Sequence, residues 1–233
     1  GVGDPEEDTN GDGVVDVYDC RDDGGDDTGG GDGPLRAIEI TVDQFGSCAV
    51  LNTGAVQCWG SDRTGSMGGH SDAGVVSTAV DNDGYFRCEV LADTSARCWT
   101  NRTGYPDLSF TSGVSQVAVG PGSAICILRT TGGVECTRLD GGVVETPTAV
   151  FDSISGGASG FCGLTTSGYA ECWALHPGGE LATAATPTTL VASVDVGNGQ
   201  WACATNTLNE VLCWGRSEAG DTPGVDDPSL QPP

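Results

Sequence analysis

Short runs of small and β-branched residues recur along the chain, and each run precedes a segment that carries two cysteines. Apolar and polar residues alternate only imperfectly within the runs, as expected of strands that are covered on both faces of a sheet. Polar stretches that contain glycine separate the units, as turns and loops do. The pattern therefore predicts a leading strand in each of five units, at residues 37–42, 74–80, 114–120, 148–154 and 190–196.

The two cysteines of each unit are separated by nine residues, which indicates a tight antiparallel hairpin. If Cys48 faces Cys58, Leu51 pairs with Ala55 and residues 52–54 form a three-residue loop. The last residue of such a loop lies in the left-handed region, which glycine tolerates without steric cost. That position holds Gly54, Thr94, Gly132, Gly168 and Asn209, of which only Thr94 departs from the preference for glycine or asparagine.

Directly opposed residues in an antiparallel pair have Cα atoms about 4.5 to 5.5 Å apart, within the range that a disulfide needs. Each hairpin is therefore expected to carry its own disulfide. The predicted pairs are Cys48–Cys58, Cys88–Cys98, Cys126–Cys136, Cys162–Cys172 and Cys203–Cys213.

The first cysteines of successive units lie 40, 38, 36 and 41 residues apart. A repeat of this length, built from three or four short strands, is typical of a β-propeller or a related β array, because one such unit cannot bury its own faces. The expected fold is all-β, with a five-bladed propeller over residues 34–233 and an irregular arm before it.

The chain has no lysine, nine arginines and 33 acidic residues, for a net charge of −24. This balance argues against a nucleic-acid partner, because a phosphate backbone requires a cationic surface. It suits bound cations, a saline medium or simple solubility. The sequence contains no apolar run of 18 residues, so no membrane span is predicted.

Eleven cysteines, ten of them in equally spaced pairs, favour an oxidising compartment and hence an extracellular or cell-surface location. Metal binding is the competing interpretation. It lacks C-x-x-C knuckles, and both histidines, His70 and His176, lie outside the repeat. Cys20 is the odd cysteine, which predicts either a disulfide to another chain or a reactive thiol.

Residues 1–33 contain twelve acidic residues and ten glycines, and this composition cannot form a packed core. Oxygen-bearing side chains occupy positions one, three, five, nine and twelve of a loop with Gly13 at position six, as in calcium loops. The predicted calcium ligands are Asp8, Asn10, Asp12, Asp16 and Asp19. With Cys20 directly after it, the loop resembles the aspartate-rich calcium repeats of thrombospondin type 3. The alternative is an acidic, unstructured linker.

The hairpin exits carry the sequences CWGSDRTGSMG from Cys58 and CWGRSEAG from Cys213. They resemble the C-W-G-x-N-x-x-G-Q-L-G signature of the regulator of chromosome condensation repeats, and the paired cysteines resemble secreted bacterial members of that superfamily. The likeness covers about residues 35–220. It implies a β-propeller, usually of seven blades, whereas only five repeats are present here. Either the five close into a ring or further blades come from elsewhere.

Tryptophan follows the second cysteine in four units, and we expect these side chains to pack between blades: Trp59, Trp99, Trp173 and Trp214. Trp201 lies outside that register, as an exposed contact or a core residue. Residues 101–103 match the N-glycosylation sequon, which usually has no consequence in a bacterial protein.

No catalytic motif is present: the sequence lacks a G-x-S-x-G elbow, an H-E-x-x-H pair and a phosphate loop. We therefore expect a non-enzymatic extracellular structural protein, in which the calcium-stiffened arm of one copy docks on the propeller of the next to form a fibre. The alternative is a monomeric secreted or surface-anchored propeller that binds another surface protein or a glycan. A hydrolase that uses propeller-face carboxylates ranks third.

Overall fold

The computed structural model describes residues 36–42, 46–60, 74–80, 86–100, 104, 106–139, 142–174, 186–197 and 200–216. These residues form sixteen strands and one 3₁₀ turn at Pro121–Ser123. The described part has no α-helix, and accordingly no helix that could cross a bilayer. The all-β prediction is confirmed.

The strands assemble into five antiparallel sheets in sequence order. Sheet I contains β1 (Ala37–Val42), β2 (Gly46–Leu51) and β3 (Val56–Gly60); sheet II contains β4 (Val75–Val80), β5 (Phe86–Leu91), β6 (Ala96–Thr100) and β7 (Leu108–Phe110); sheet III contains β8 (Val114–Gly120), β9 (Ala124–Arg129) and β10 (Val134–Arg138); sheet IV contains β11 (Phe151–Gly157), β12 (Gly160–Thr165) and β13 (Ala170–Trp173); and sheet V contains β14 (Val191–Val196), β15 (Gln200–Asn206) and β16 (Val211–Arg216). Each sheet is one repeat.

The predicted hairpin register is confirmed in all five sheets, since each pair of cysteines lies directly opposite in the ladder. Five disulfides result, with Cα–Cα distances of 4.0 or 4.1 Å. The residue that closes each hairpin loop has a positive φ, and this includes Thr94, at 64°. Thr94 tolerates the conformation because its Oγ1 accepts a hydrogen bond of 2.9 Å from the N–H of Gly113.

Consecutive sheets pack face to face through apolar clusters. The upstream face of a sheet packs against the preceding sheet, and the downstream face packs against the following one. Between sheets II and III, for example, the disulfide cysteines Cys88 and Cys98 meet Val114 and Val117. Three further clusters join sheet I to II, III to IV and IV to V in the same manner.

A main-chain hydrogen bond repeats at each of these four contacts. The N–H of the first residue of a leading strand donates to the carbonyl of the residue that closes the preceding hairpin loop. The four bonds join Val75 to Gly54, Val114 to Thr94, Phe151 to Gly132 and Val191 to Gly168, at 2.8 to 3.0 Å. The hairpin loop of each sheet therefore also positions the leading strand of the next sheet.

Candidate functional site

The leading strands of all five sheets line one cavity of about 600 Å³. Its wall consists of β1, β4, β8, β11 and β14, together with the side chain of Trp201. Such a shared cavity is the central channel that a propeller places between its innermost strands. It is the first candidate for a binding site, because ligand sites in proteins are concave and carry a few polar groups.

Polar side chains in the channel wall link neighbouring sheets. Oε1 of Glu39 accepts hydrogen bonds from the N–H of Thr78 at 2.9 Å and from the hydroxyl of Ser77 at 3.2 Å. Burial raises the pKa of Glu39 above its ordinary value, and these two hydrogen bonds partly oppose the effect. On sheet III, Gln116 plays the corresponding part, since its Oε1 accepts a bond of 2.8 Å from the N–H of Ile154.

The same linkage recurs between sheets IV and V. The Ser155 hydroxyl donates to Asp195, and the N–H of Val196 donates to Ser155 at 3.1 Å and to Asp195 at 2.9 Å. The carboxylates of Glu39 and Asp195 thus act as acceptors that hold adjacent leading strands together.

Trp201 lies half-buried at this channel. Its ring packs so closely on Gly197 that a Cβ added there would stand 2.4 Å from the ring. The sequence alone did not decide whether Trp201 is an exposed contact or a core residue. The structure places Trp201 at the cavity wall, with part of its surface accessible.

A buried ionic cluster occupies the upstream face of sheet II. Glu89 is completely buried and accepts hydrogen bonds from Arg87 at 2.8 Å and from Arg97 at 3.1 and 2.8 Å. Both guanidinium groups lie over the ring of Trp99, at 5.4 and 5.7 Å from its centroid. Sequence analysis missed this cluster. Arg87, Glu89 and Arg97 alternate across paired positions of β5 and β6, and that pairing is the signal that could have found it.

The prediction that the recurring tryptophans pack between sheets holds for three of them. Trp173 contacts Phe151 and Phe161 of its own sheet, with ring centroids 5.2 and 5.8 Å away, and it lies in the apolar cluster that sheet IV shares with Ala118 and Cys126 of sheet III. Trp99, Trp173 and Trp214 are at most 8% exposed. Trp59 is 49% exposed, which corrects the expectation for that residue.

The exposure of Trp59 belongs to a larger uncovered surface on sheet I, called here the upstream end face: Ile40, Val42 and Trp59. Ile40 is 61% exposed and Val42 is 68% exposed. The residues that match Ile40 by register on the other sheets are at most 8% exposed: Thr78, Val117, Ile154 and Val194. No described sheet covers this face of sheet I in the way that preceding sheets cover the others.

Sheet V presents a matching uncovered surface, called here the downstream end face: Cys203, Val211 and Cys213. Val211 is 49% exposed, whereas its counterparts Val56, Ala96, Val134 and Ala170 are at most 8% exposed. Cys203 is partly exposed, although the first cysteine of every other pair is fully buried. The two ends of the row of sheets thus expose the surfaces that the inner sheets bury.

A second cavity, of about 460 Å³, lies beside the hairpin loop of sheet IV. Its wall includes Thr165, Thr166, Ser167 and the half-exposed Tyr169. Hydroxyl groups next to an accessible aromatic ring are suited to polar, ring-shaped ligands such as sugars.

The predicted calcium ligands Asp8, Asn10, Asp12, Asp16 and Asp19 lie outside the described residues, as do Cys20 and the arm at 1–33. The same holds for His70, His176 and the sequon at 101–103. Over the described ranges, no group of three or more histidine, cysteine, aspartate or glutamate side chains is placed to hold a metal ion.

Solved propellers resemble this structure. The CRINKLY WD40 ectodomain of the Arabidopsis thaliana receptor kinase ACR4 superposes with a TM-score of 0.61 and 19% sequence identity, over 82% of this chain and 70% of that one. Human WBSCR16 gives a TM-score of 0.59 at 15% identity, over 80% and 63% of the two chains. Yeast RCC1 (Prp20), in its structure bound to Kap60, gives 0.58 at 14% identity, over 78% and 56%.

No protein-family model matches the chain, and no curated protein matches it in sequence. The chain spans 70% of the length of the ACR4 ectodomain and less than two thirds of WBSCR16 and yeast RCC1. At these identities the likeness concerns the fold alone. The described residues therefore form a disulfide-stapled β-propeller of five sheets, of the kind seen in RCC1-like and WD40 propellers.

Proposed function

We propose that this protein is a non-enzymatic, extracellular structural protein that assembles with copies of itself. The observation that carries the proposal is the upstream end face, where three large apolar side chains remain accessible, whereas the counterparts of Ile40 on all the other sheets are buried. Contiguous apolar surface of this kind marks an interaction site more often than it marks ordinary protein surface. The five disulfides agree with an oxidising, extracellular location.

The acidic arm at residues 1–33 contributes a second contact in this proposal. Calcium bound by Asp8, Asn10, Asp12, Asp16 and Asp19 stiffens the arm, so that it docks on a neighbouring propeller. Ordering such a segment costs roughly 1 to 2 kcal/mol per residue, which a bound cation and a docking surface together offset. Cys20 then forms a covalent link to the neighbouring copy.

Light scattering after size-exclusion chromatography, together with negative-stain images, tests this function. The protein should form particles larger than 23.5 kDa in calcium and shift to smaller ones in chelator and reductant. A monodisperse monomer at every concentration, salt level and calcium level contradicts it. An arm deletion separates the contribution of residues 1–33 from that of the propeller.

A second candidate is a monomeric propeller that binds another surface protein or a glycan. The polar channel with its accessible Trp201 and the pocket beside Tyr169 favour it. Yeast RCC1, a structural neighbour, was solved with a protein partner, Kap60. A binding screen on glycan arrays and surface extracts, repeated with Trp201→Ala and Tyr169→Ala, distinguishes the two cavities.

A further inference from the structure

We infer that the downstream end face of one copy packs on the upstream end face of the next, so that sheet V of the first and sheet I of the second pack as consecutive sheets do within the chain. The inference rests on the proposed self-assembly and names the two surfaces that carry it.

The four contacts inside the propeller provide the template. At each one, the disulfide and a small apolar residue of the third strand on the downstream face meet apolar residues of the next leading strand. Val134 of sheet III and Ile154 of sheet IV share one such cluster, and Ala170 of sheet IV and Val194 of sheet V share another. By register, Val211 corresponds to Val134 and Ile40 corresponds to Ile154.

The end faces therefore carry the two halves of a contact that the molecule already makes four times. Sheet V contributes Val211 and the partly exposed Cys203–Cys213 disulfide, while sheet I contributes Ile40, Val42 and the ring of Trp59. Trp173 and Trp214 occupy the position of Trp59 at inner contacts, and there each packs in the cluster shared with the preceding sheet.

Main-chain groups at the two ends match in the same way. Asn209 closes the last hairpin loop with a φ of 63°, close to the 64° of Thr94, so it shares the left-handed conformation of its counterparts at the inner contacts. The donor that corresponds to Val75, Val114, Phe151 and Val191 is the N–H of Ala37. Among the described residues this bond is not formed between Ala37 and Asn209 of the same chain. The N–H of Ala37 in a neighbouring copy can instead donate to the carbonyl of Asn209.

The two surfaces differ from each other, so the contact is heterologous. A heterologous contact leaves one free surface of each kind after every addition, and growth continues unless the rotation closes a ring. Pairing of two upstream end faces is disfavoured, because it would bring two leading strands together without the hairpin carbonyl that each inner contact uses.

Two blocked variants of the full-length protein test the pairing. Ile40→Lys places a charge on the upstream end face and leaves sheet V intact, while Val211→Lys does the reverse. The test is run with calcium chelated and with Cys20→Ser in both variants, so that the arm contact of the proposed function does not operate. Each variant alone should then be a monomer of 23.5 kDa, and an equimolar mixture should give a dimer of twice that mass and nothing larger. The mixture forms only one contact, between the intact sheet V of the first variant and the intact sheet I of the second.

Matched controls lie on the same elements. Ile38→Lys alters the bulge position of β1, where the counterparts Val76, Ser115, Asp152 and Ala192 are also exposed, and Leu208→Lys alters an exposed hairpin loop. Both should assemble as the unmodified protein does. Circular dichroism and a thiol count verify that every variant folds with five disulfides, and a parallel Cys20→Ser set removes covalent dimers.

Three results overturn the inference. If Ile40→Lys or Val211→Lys assembles as the unmodified protein does, or if their mixture stays monomeric while that protein assembles, the end faces are not the contact, although the proposed function stands. If Val211→Lys alone forms dimers, the contact joins two upstream faces. A protein that never exceeds the monomer mass contradicts both the inference and the proposed function.

Discussion

At the level of single residues, Gly54 shows how closely one repeat is fitted to the next. Its φ is 79°, and a Cβ built there would stand 2.5 Å from the main-chain nitrogen of Gly74, the residue directly before the first strand of the following sheet. Gly113 has a similar φ of 75° but no atom nearer than 4.0 Å to the same added carbon. Comparing substitutions at Gly54 and Gly113 therefore separates the effect of backbone strain from the effect of steric overlap.

We expect Gly54→Ala to lower the free energy of unfolding by about 2 to 4 kcal/mol, since left-handed strain of about 1 to 2 kcal/mol adds to an overlap with main chain that cannot move aside. Gly113→Ala should cost only the strain. Thermal unfolding under non-reducing conditions measures the difference, at roughly 2 to 4 °C per kcal/mol for a domain of this size. Equal losses in the two variants would show that the overlap relaxes.

The buried position of Glu89 leads to a second prediction, which concerns the stability of the folded protein. Glu89→Gln removes a buried carboxylate that is hydrogen-bonded to both Arg87 and Arg97, and breaking a buried ion pair costs about 3 to 5 kcal/mol. Glu135→Gln is the control, because its partner Arg129 lies 2.6 Å away at the surface, where such pairs contribute about 0 to 1 kcal/mol. Urea unfolding of both variants provides the comparison. A small loss for Glu89→Gln would mean that the two guanidinium groups find other partners.

At the level of elements, Glu39 makes the contact between sheets I and II sensitive to pH. Burial raises its pKa above the ordinary value of 4.5, so the folded state holds the proton more tightly than the unfolded chain does. The associated stability is fully present below the unfolded pKa and is lost as the pH rises through the folded pKa. Glu39→Gln keeps the acceptor oxygen for Thr78 and Ser77 without the charge.

This variant should therefore match the unmodified protein near pH 4 and exceed it in stability towards pH 7. Urea midpoints measured across that range, for both proteins in parallel, check the expectation. A difference between the two that does not change with pH would assign the stability of this contact to other groups.

The disulfides should differ in reactivity according to the sheet that carries them. Each closes a short loop and contributes about 2.5 to 3 kcal/mol in the chain-entropy model. Cys203–Cys213 lies on the downstream end face, whereas the first cysteine of every other pair is fully buried. Mass spectrometry of alkylated peptides, during a time course with reductant, should find this pair reduced first. If assembly covers sheet V, it should slow the reduction of Cys203–Cys213. An unchanged rate would indicate that this disulfide remains accessible after assembly.

The sequence predicted the elements well because their determinants are local. Cysteine spacing and loop residues define the hairpin register, and even Thr94, an unfavourable residue, adopts the left-handed conformation that its position requires. What it could not predict depends on contacts between repeats. Trp59 has the same motif as Trp214, yet only Trp214 packs against a preceding sheet. The ionic cluster at Glu89 belongs to no repeat motif, and the pairing of β5 with β6 is its one signal in the sequence. The arm and its calcium ligands lie outside the described residues and stay predictions.

At the level of the whole molecule, charge opposes self-association. Copies with a net charge of −24 repel one another. Raising the ionic strength from about 0.01 M to about 0.15 M shortens the screening length from about 30 Å to about 8 Å. Assembly through apolar end faces should therefore strengthen with added sodium chloride, as light scattering over a salt series would show. Dissociation with rising salt would point to ionic contacts instead.

The hydrogen bond that joins each hairpin loop to the next leading strand uses main-chain atoms on both sides, so it does not depend on which side chains the two repeats carry. Thr94 and Gly132 make the same bond to their neighbours. A repeat duplicated or deleted in the gene would therefore leave the remaining joints intact, provided that the duplication boundary falls between units. Blade number in such a chain can change in single genetic steps, and relatives that differ by whole repeats are the expected evolutionary record.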